Sequence, residues 1–110
     1  MTSDQYNGVP VITVEGDLAG VEAAAVLGAV ERRPPIESGK CVIDLERCRF
    51  ISGEGLGALV NALRCCESRG AALKLAGLDE NCRTILQMTR LDHRFECCPD
   101  VAAALKTLSQ

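Results

Sequence analysis

Apolar and polar positions alternate along this chain with two different periods, and the period changes at turns marked by glycine or proline. Val9 to Glu15 reads Val-Pro-Val-Ile-Thr-Val-Glu. Its β-branched content and the Gly16-Asp17 stop predict a strand, with Pro10 near its start or on an edge. Asn7-Gly8 is a hairpin signal, so a short strand is expected around Ser3 to Tyr6. Residues 18–33 carry a helical pattern. Asp17 is a candidate N-cap, Arg32-Arg33 complement the C-terminal dipole, and Pro34-Pro35 end the helix. Leu18, Val21 and Ala25 suggest one buried stripe, and Val26 and Val30 a second. A helix apolar on more than one side suits wide burial in a sheet groove, with a partner contact as the other reading.

After a loop over 34–40, Cys41 to Leu45 predict the next strand. Glu46-Arg47-Cys48-Arg49 bridges to the short apolar pair Phe50-Ile51, and three glycines follow at 53, 55 and 57. From there Leu56, Leu59, Val60 and Leu63 recur at i, i+3, i+4 and i+7. They predict a helix to about Ser68, with Arg69 in its last turn and Gly70 beyond its end. Leu73 and Leu75 alternate with Lys74 in a strand over 71–76. Gly77-Leu78-Asp79 turns into a helix with Asp79 as N-cap and Ile85, Leu86 and Thr89 on its buried face. Leu91-Asp92-His93 is a loop and Phe95-Glu96-Cys97 a short strand. Pro99 fits the first position of a last helix whose stripe is Val101, Ala104, Leu105 and Leu108. Strands alternating with helices predict an α/β domain with parallel pairs joined by right-handed crossovers.

Composition narrows what such a domain does. At 110 residues the chain is one domain, 1–110, long enough for a core without disulfides or metal. Aromatic residues are 3% and Trp is absent, so the core is aliphatic. A net charge of −3 and a pI near 5.1 argue against a nucleic-acid surface. The first residues have neither a basic region nor an apolar run, and no apolar segment approaches the roughly 20 residues that span a bilayer. The chain therefore reads as cytoplasmic, without direct membrane insertion. Its seven cysteines are odd in number, contain no C-x-x-C, and accompany a single histidine, His93. They read as free, mostly buried thiols rather than zinc ligands or a disulfide framework. No metal and no cofactor are expected.

Candidate chemistry gathers at Phe50-Ile-Ser-Gly-Glu-Gly-Leu-Gly57. A helix N-terminus leaves about four backbone N–H groups for an anion, and glycines let a group approach the backbone. Gly53-Glu-Gly-Leu-Gly-Ala58 matches the dinucleotide pattern G-x-G-x-x-[GA], and Asp79 lies near the end of the next strand. However, the turn does not follow the first strand, Glu54 would place a carboxylate beside a pyrophosphate, and the chain is too short for two mononucleotide halves. No Gly-Lys-Ser/Thr follows, which excludes a P-loop. Asp44 and Glu54 are a conceivable carboxylate pair, but Asp44 reads as a turn or sheet-edge residue, and His93 stands alone in a loop. No nucleophile, base and orienter come together, so the chain is not expected to be an enzyme.

The order of elements, Cys41-Val-Ile-Asp-Leu45, the glycine turn, Arg69-Gly-Ala-Ala-Leu-Lys-Leu-Ala-Gly-Leu78 and the run from Ile85 to Phe95 together resemble the STAS family over about 9–108. This family comprises the anti-sigma factor antagonists and related domains of sulfate transporters. The resemblance implies a mixed four- to five-stranded sheet with about four helices, packed mainly on one face. It implies bacterial signal transduction and transcription regulation by partner switching, in which the domain binds an anti-sigma factor, usually a serine kinase-like protein. In the family the turn commonly reads Asp-Ser-Ser-Gly-Leu, and the hydroxyl residue before the glycine is phosphorylated. The equivalent positions here are Ser52, Gly53, Glu54 and Gly55, so Glu54 occupies the acceptor position. Glu54 is then a weak mimic of a phosphate, with about −1 charge against about −1.5 to −2, or a carboxylate that the helix dipole favours in a domain never controlled by phosphate. Ser52 is a helix N-cap or an alternative phosphosite. The implied contact surface is the turn and the helix from Gly55 to Ser68, through Ser52, Glu54, Leu56, Gly57 and Asn61. Two other functions remain open: a small accessory subunit docked on the ATPase subunit of an ABC-type transporter, and sensing of a nucleotide or lipid. A homodimer is compatible with each.

Overall fold

In a computed structural model the two periodicities resolve into β1 (Thr2–Tyr6), β2 (Val9–Thr13), α1 (Gly20–Arg32), β3 (Lys40–Asp44), α2 (Gly53–Ser68), β4 (Ala72–Ala76), α3 (Glu80–Met88), β5 (Glu96–Cys98) and α4 (Val101–Leu108). The structure describes residues 1–6, 8–32 and 39–108, without the side chains of residues 2, 107 and 108. Asn7 of the hairpin signal, Arg33, the Pro34-Pro35 stop and the side chain of Leu108 lie outside that description.

The five strands lie in sequence order. β1 pairs antiparallel with β2, and every later pair is parallel. Successive crossovers of one hand place α1, α2 and α3 on the same face. On that face Ile12, Cys41, Ile43, Leu73 and Leu75 meet Val26, Leu59 and Leu86 in one aliphatic core. Side chains one position along each strand point the other way. Val11, Val42, Ala76 and Cys98 form a smaller cluster there, covered by Ala104, with Val101 and Leu105 packed against it. Lys74 also has that orientation. It is 7% exposed, and its Nζ lies 2.7 Å from Glu96 Oε2, its register partner on β5. Among the described residues no helix is long and apolar enough to cross a membrane.

Four local expectations are corrected. First, α1 begins at Gly20, so Asp17 is not its cap and Leu18 is not helical. Leu18 instead forms an isolated parallel bridge with Ile51. Of the apolar pair Phe50-Ile51, Ile51 makes this bridge and Phe50 is exposed. Second, Val21 is 88% exposed, because the helix faces the sheet through Ala23, Val26, Ala29 and Val30. Third, Thr89 is exposed. It is the C-cap of α3, and its hydroxyl donates back to the carbonyls of Ile85 and Leu86. Fourth, Pro99 precedes α4 rather than opening it. Asp100 Oδ1 accepts from the Ala103 N–H at 2.7 Å and supplies the cap.

Asp79 caps α3 as the sequence predicts. Its Oδ1 accepts from the Cys82 N–H at 2.8 Å, and its Oδ2 lies 3.6 Å from Arg49 Nη1. The Cys82 hydrogen bond, with help from Arg49, holds the Asp79 carboxyl below its ordinary 3.8. A depressed folded pKa gives stability that is present above the unfolded pKa and lost as pH falls through the folded one. An Asp79→Asn variant should thus be less stable than the parent at neutral pH, and the gap should close on acidification below about pH 4. Urea midpoints at pH 7 and pH 3 measure it. A gap independent of pH would contradict the assignment.

Candidate functional site

The glycine turn lies at the carboxyl end of β3, where the chain leaves the sheet. Asp44 is the last residue of the central strand β3 rather than a turn or sheet-edge residue, and its Oδ1 accepts from the Glu46 N–H of the turn that follows at 3.0 Å. The Leu45 N–H still donates to Ala76 O at 2.7 Å, so the chain detaches from the sheet just after it. Segment 46–50 then crosses toward the loop that follows β2. There the Leu18 N–H donates to Phe50 O at 3.0 Å, and the Ser52 N–H donates to Leu18 O at 3.1 Å.

Ser52 has extended backbone (φ −78, ψ 173) and caps α2. Its Oγ accepts from the Gly55 N–H at 3.0 Å and donates to Leu18 O at 3.3 Å. Both capacities of the hydroxyl are thus engaged inside the chain. Gly55 is buried in the first turn of α2. A Cβ built there would sit 2.1 Å from Leu18 O, so no larger residue fits without a backbone shift. The close approach that the glycines permit is, at Gly55, made by the chain's own Leu18 carbonyl. At Gly53 and Gly57 an added Cβ meets nothing within 4 Å, and neither has positive φ. The fold does not require glycine at those two positions.

Glu54 is exposed in the first turn of α2, where the dipole favours its charge. With Gly57, Ala58 and Asn61 it forms one wall of a shallow depression of about 270 Å³. Gly20, Ala23, Ala24 and Leu27 of α1 form the other wall. The structure therefore brings Glu54, Gly57 and Asn61 onto one surface. Leu56 is only partly exposed and packs against the core, and Ser52 is held in the cap. Sequence reasoning did not place the α1 wall, although the surplus of apolar positions on that helix was its signal. Two large apolar side chains remain exposed at the ends of these elements: Val21, and Phe50 at 47%.

The other candidates stay apart. Asp44 lines a different depression, with Asp4, Thr13, Glu15, Glu46 and Arg47. The side chain of His93 is 90% exposed, and its Nε2 lies 3.9 Å from Asp92 Oδ2. All seven cysteines are free thiols, and Cys41, Cys48, Cys66, Cys82 and Cys98 are buried. A hydrogen bond shared with Cys66, together with burial, pushes the Cys41 thiol far above its ordinary range. Among the described residues no three Cys, His, Asp or Glu side chains come together to hold a metal ion.

The family model described as "Mlab, STAS domain" matches residues 1–105, and the chain belongs to the STAS family. Solved structures share its mixed five-stranded sheet and four helices. An anti-sigma-factor antagonist (STAS) domain protein from Planctomyces limnophilus superposes with a TM-score of 0.85 at 21% identity, covering 99% of this chain and 97% of that one. An anti-sigma factor antagonist from Mycobacterium paratuberculosis gives 0.82 at 22%, covering 99% and 92%. A sulfate transporter family protein from Wolinella succinogenes gives 0.83 at 19%, covering 94% and 87%. No curated protein matches the chain. At these identities the likeness carries the fold, which is common to antagonists and to transporter-associated domains alike.

The glycines separate into two kinds that experiment can distinguish. Gly55→Ala should destabilise by about 3 kcal/mol, since the new methyl overlaps backbone. Gly57→Ala should stabilise by about 0.5–1 kcal/mol through helix propensity alone. Urea denaturation of both variants checks this. Equal losses at the two positions would contradict it.

Proposed function

We propose that this chain is a non-catalytic regulatory module of the cytoplasm that acts by binding a protein. The anti-sigma factor antagonist type of partner is favoured, an anti-sigma factor or serine kinase-like protein. The contact surface is the turn from Ser52 to Gly57 together with the depression between α1 and α2. The observation that carries this reading is the character of that surface. It presents an exposed carboxylate, small residues and two exposed apolar side chains, Val21 and Phe50, at the carboxyl ends of β2 and β3.

Binding is constitutive with respect to phosphate at this turn. Glu54 has no hydroxyl at the position equivalent to the acceptor, and the Ser52 hydroxyl is committed to the cap. Phosphorylating Ser52 would break its bonds to Gly55 and Leu18 and place two charges beside the Leu18 carbonyl. Glu54 acts as a carboxylate suited to a helix N-terminus, worth about 0.3–1 kcal/mol there. A second reading has a specific support: the fold shared with the Wolinella sulfate transporter family protein favours an accessory subunit docked on a transporter ATPase. A permanently charged turn suits a fixed subunit as well as a switched one.

Calorimetry with the purified anti-sigma factor-like kinases and transporter ATPase subunits of the source organism separates the two. A complex with a kinase-like protein supports the first reading, and a complex with an ATPase subunit supports the second. Binding to neither overturns both. Against the bound partner, Glu54→Ala should change affinity by less than about threefold, equivalent to under about 0.7 kcal/mol. A gain of tenfold or more would mark Glu54 as a phosphate mimic. Incubation with the kinase and ATP should leave the turn unmodified, and phosphate on Ser52 would refute constitutive binding.

A further inference from the structure

Segment 46–50 is exposed at Glu46, Arg47, Arg49 and Phe50 but turns Cys48 fully inward. There Cys48 meets Cys82 in the first turn of α3, with the sulfurs 3.9 Å apart. The surrounding bonds hold the two elements in this alignment. The Cys82 thiol donates to Cys48 O at 3.4 Å, and the Cys48 thiol donates to Phe50 O at 3.2 Å. Asn81 Nδ2 donates to Arg49 O at 2.6 Å, and Arg49 lies 3.6 Å from Asp79. The bridge between the crossing loop and α3 thus consists of polar contacts around a pair of thiols in van der Waals contact. A disulfide needs the sulfurs to close from 3.9 Å to about 2.0 Å, a movement of about 2 Å between two side chains already in contact.

We propose that Cys48 and Cys82 are a modification site: a small hydroperoxide oxidises them to a reversible disulfide that staples the loop entering the glycine turn to α3. The Cys48 thiolate attacks the peroxide O–O bond, giving a sulfenic acid and expelling hydroxide, which takes up the thiol proton as water. Cys82 sulfur then attacks the sulfenic sulfur, forms the S–S bond and releases a second water. Two thiols and one hydrogen peroxide become one disulfide and two waters, and the two electrons lost by sulfur reduce the O–O bond. Cys48 is the entry point because its loop is exposed on both sides, so a local opening of 46–50 reaches it while α3 stays in place. Burial raises the Cys82 thiol above its ordinary range, so it stays protonated until that opening, which makes the step slow and selective for small oxidants. Cys41 and Cys66 also lie together, but within the central strand and α2 rather than on a crossing segment.

The test is peptide mapping of the intact protein under non-reducing conditions, after hydrogen peroxide and after subsequent dithiothreitol. The expected product is a peptide pair joined through Cys48 and Cys82, with two of the seven thiols lost and both restored by reductant. Hydrogen exchange at residues 46–57 should slow on oxidation and recover on reduction. Cys82→Ala, checked for folding by circular dichroism, should abolish the linked pair. The wild-type map stands even if that variant fails to fold. Peroxide that oxidises other cysteines while Cys48 and Cys82 remain free thiols would overturn the proposal. So would conversion of Cys48 to the sulfinic acid with no link formed.

Discussion

The backbone carbonyl of Leu18 is the point on which the site depends. It accepts from the Ser52 N–H and from the Ser52 hydroxyl, and Gly55 packs directly against it. These contacts join the loops that leave β2 and β3, adjacent parallel strands whose exits lie side by side. The first turn of α2 is thereby set against the entry to α1, and the depression between the two helices follows. Gly55 is demanded by this packing, since any side chain would drive the two loops apart. The cap, the glycine and the Leu18–Ile51 bridge form one cooperative unit, in which loss of any member leaves the others with unmet hydrogen bonds or a clash.

What the unit presents is an exposed carboxylate on a rigid frame. A phosphoserine at the Glu54 position would add about one further charge and three acceptor oxygens, and could be removed. Glutamate supplies a smaller charge that is always present. The hydroxyl that does stand in the turn, Ser52, is structural. The turn of this chain carries a permanent charge and no hydroxyl at the Glu54 position. The aliphatic core holds α1 and α2 in place, and the residues that face outward from them are Val21, Ala24, Glu54, Gly57 and Asn61.

Much of this was legible in the chain. Strand and helix periods located every element to within a few residues, and Asp79 as a cap follows from its place between a strand and an apolar helical stripe. The differences have separate physical causes. The start of α1 was misplaced because Leu18 forms a bridge to Ile51, far away in sequence, and no local pattern encodes that pairing. Val21 was assigned to the core because periodicity ranks apolar residues without knowing which stripe meets the sheet. Thr89 was placed on the buried face of α3, whereas its hydroxyl bonds to carbonyls at the exposed helix end. At the site, the turn and its charge were readable from Ser52 to Gly57. The α1 wall was not, because it depends on the depth at which two helices pack.

In the function proposed above, the partner seats on the face formed by α1 and the first half of α2. Amide hydrogen exchange of the free and partner-bound protein tests it most directly. Protection should appear at residues 20–27 and 52–61, with α4 and the outer edge of β1 unchanged. Protection confined to α4 or to β1, with the glycine turn exchanging as in the free protein, would contradict it.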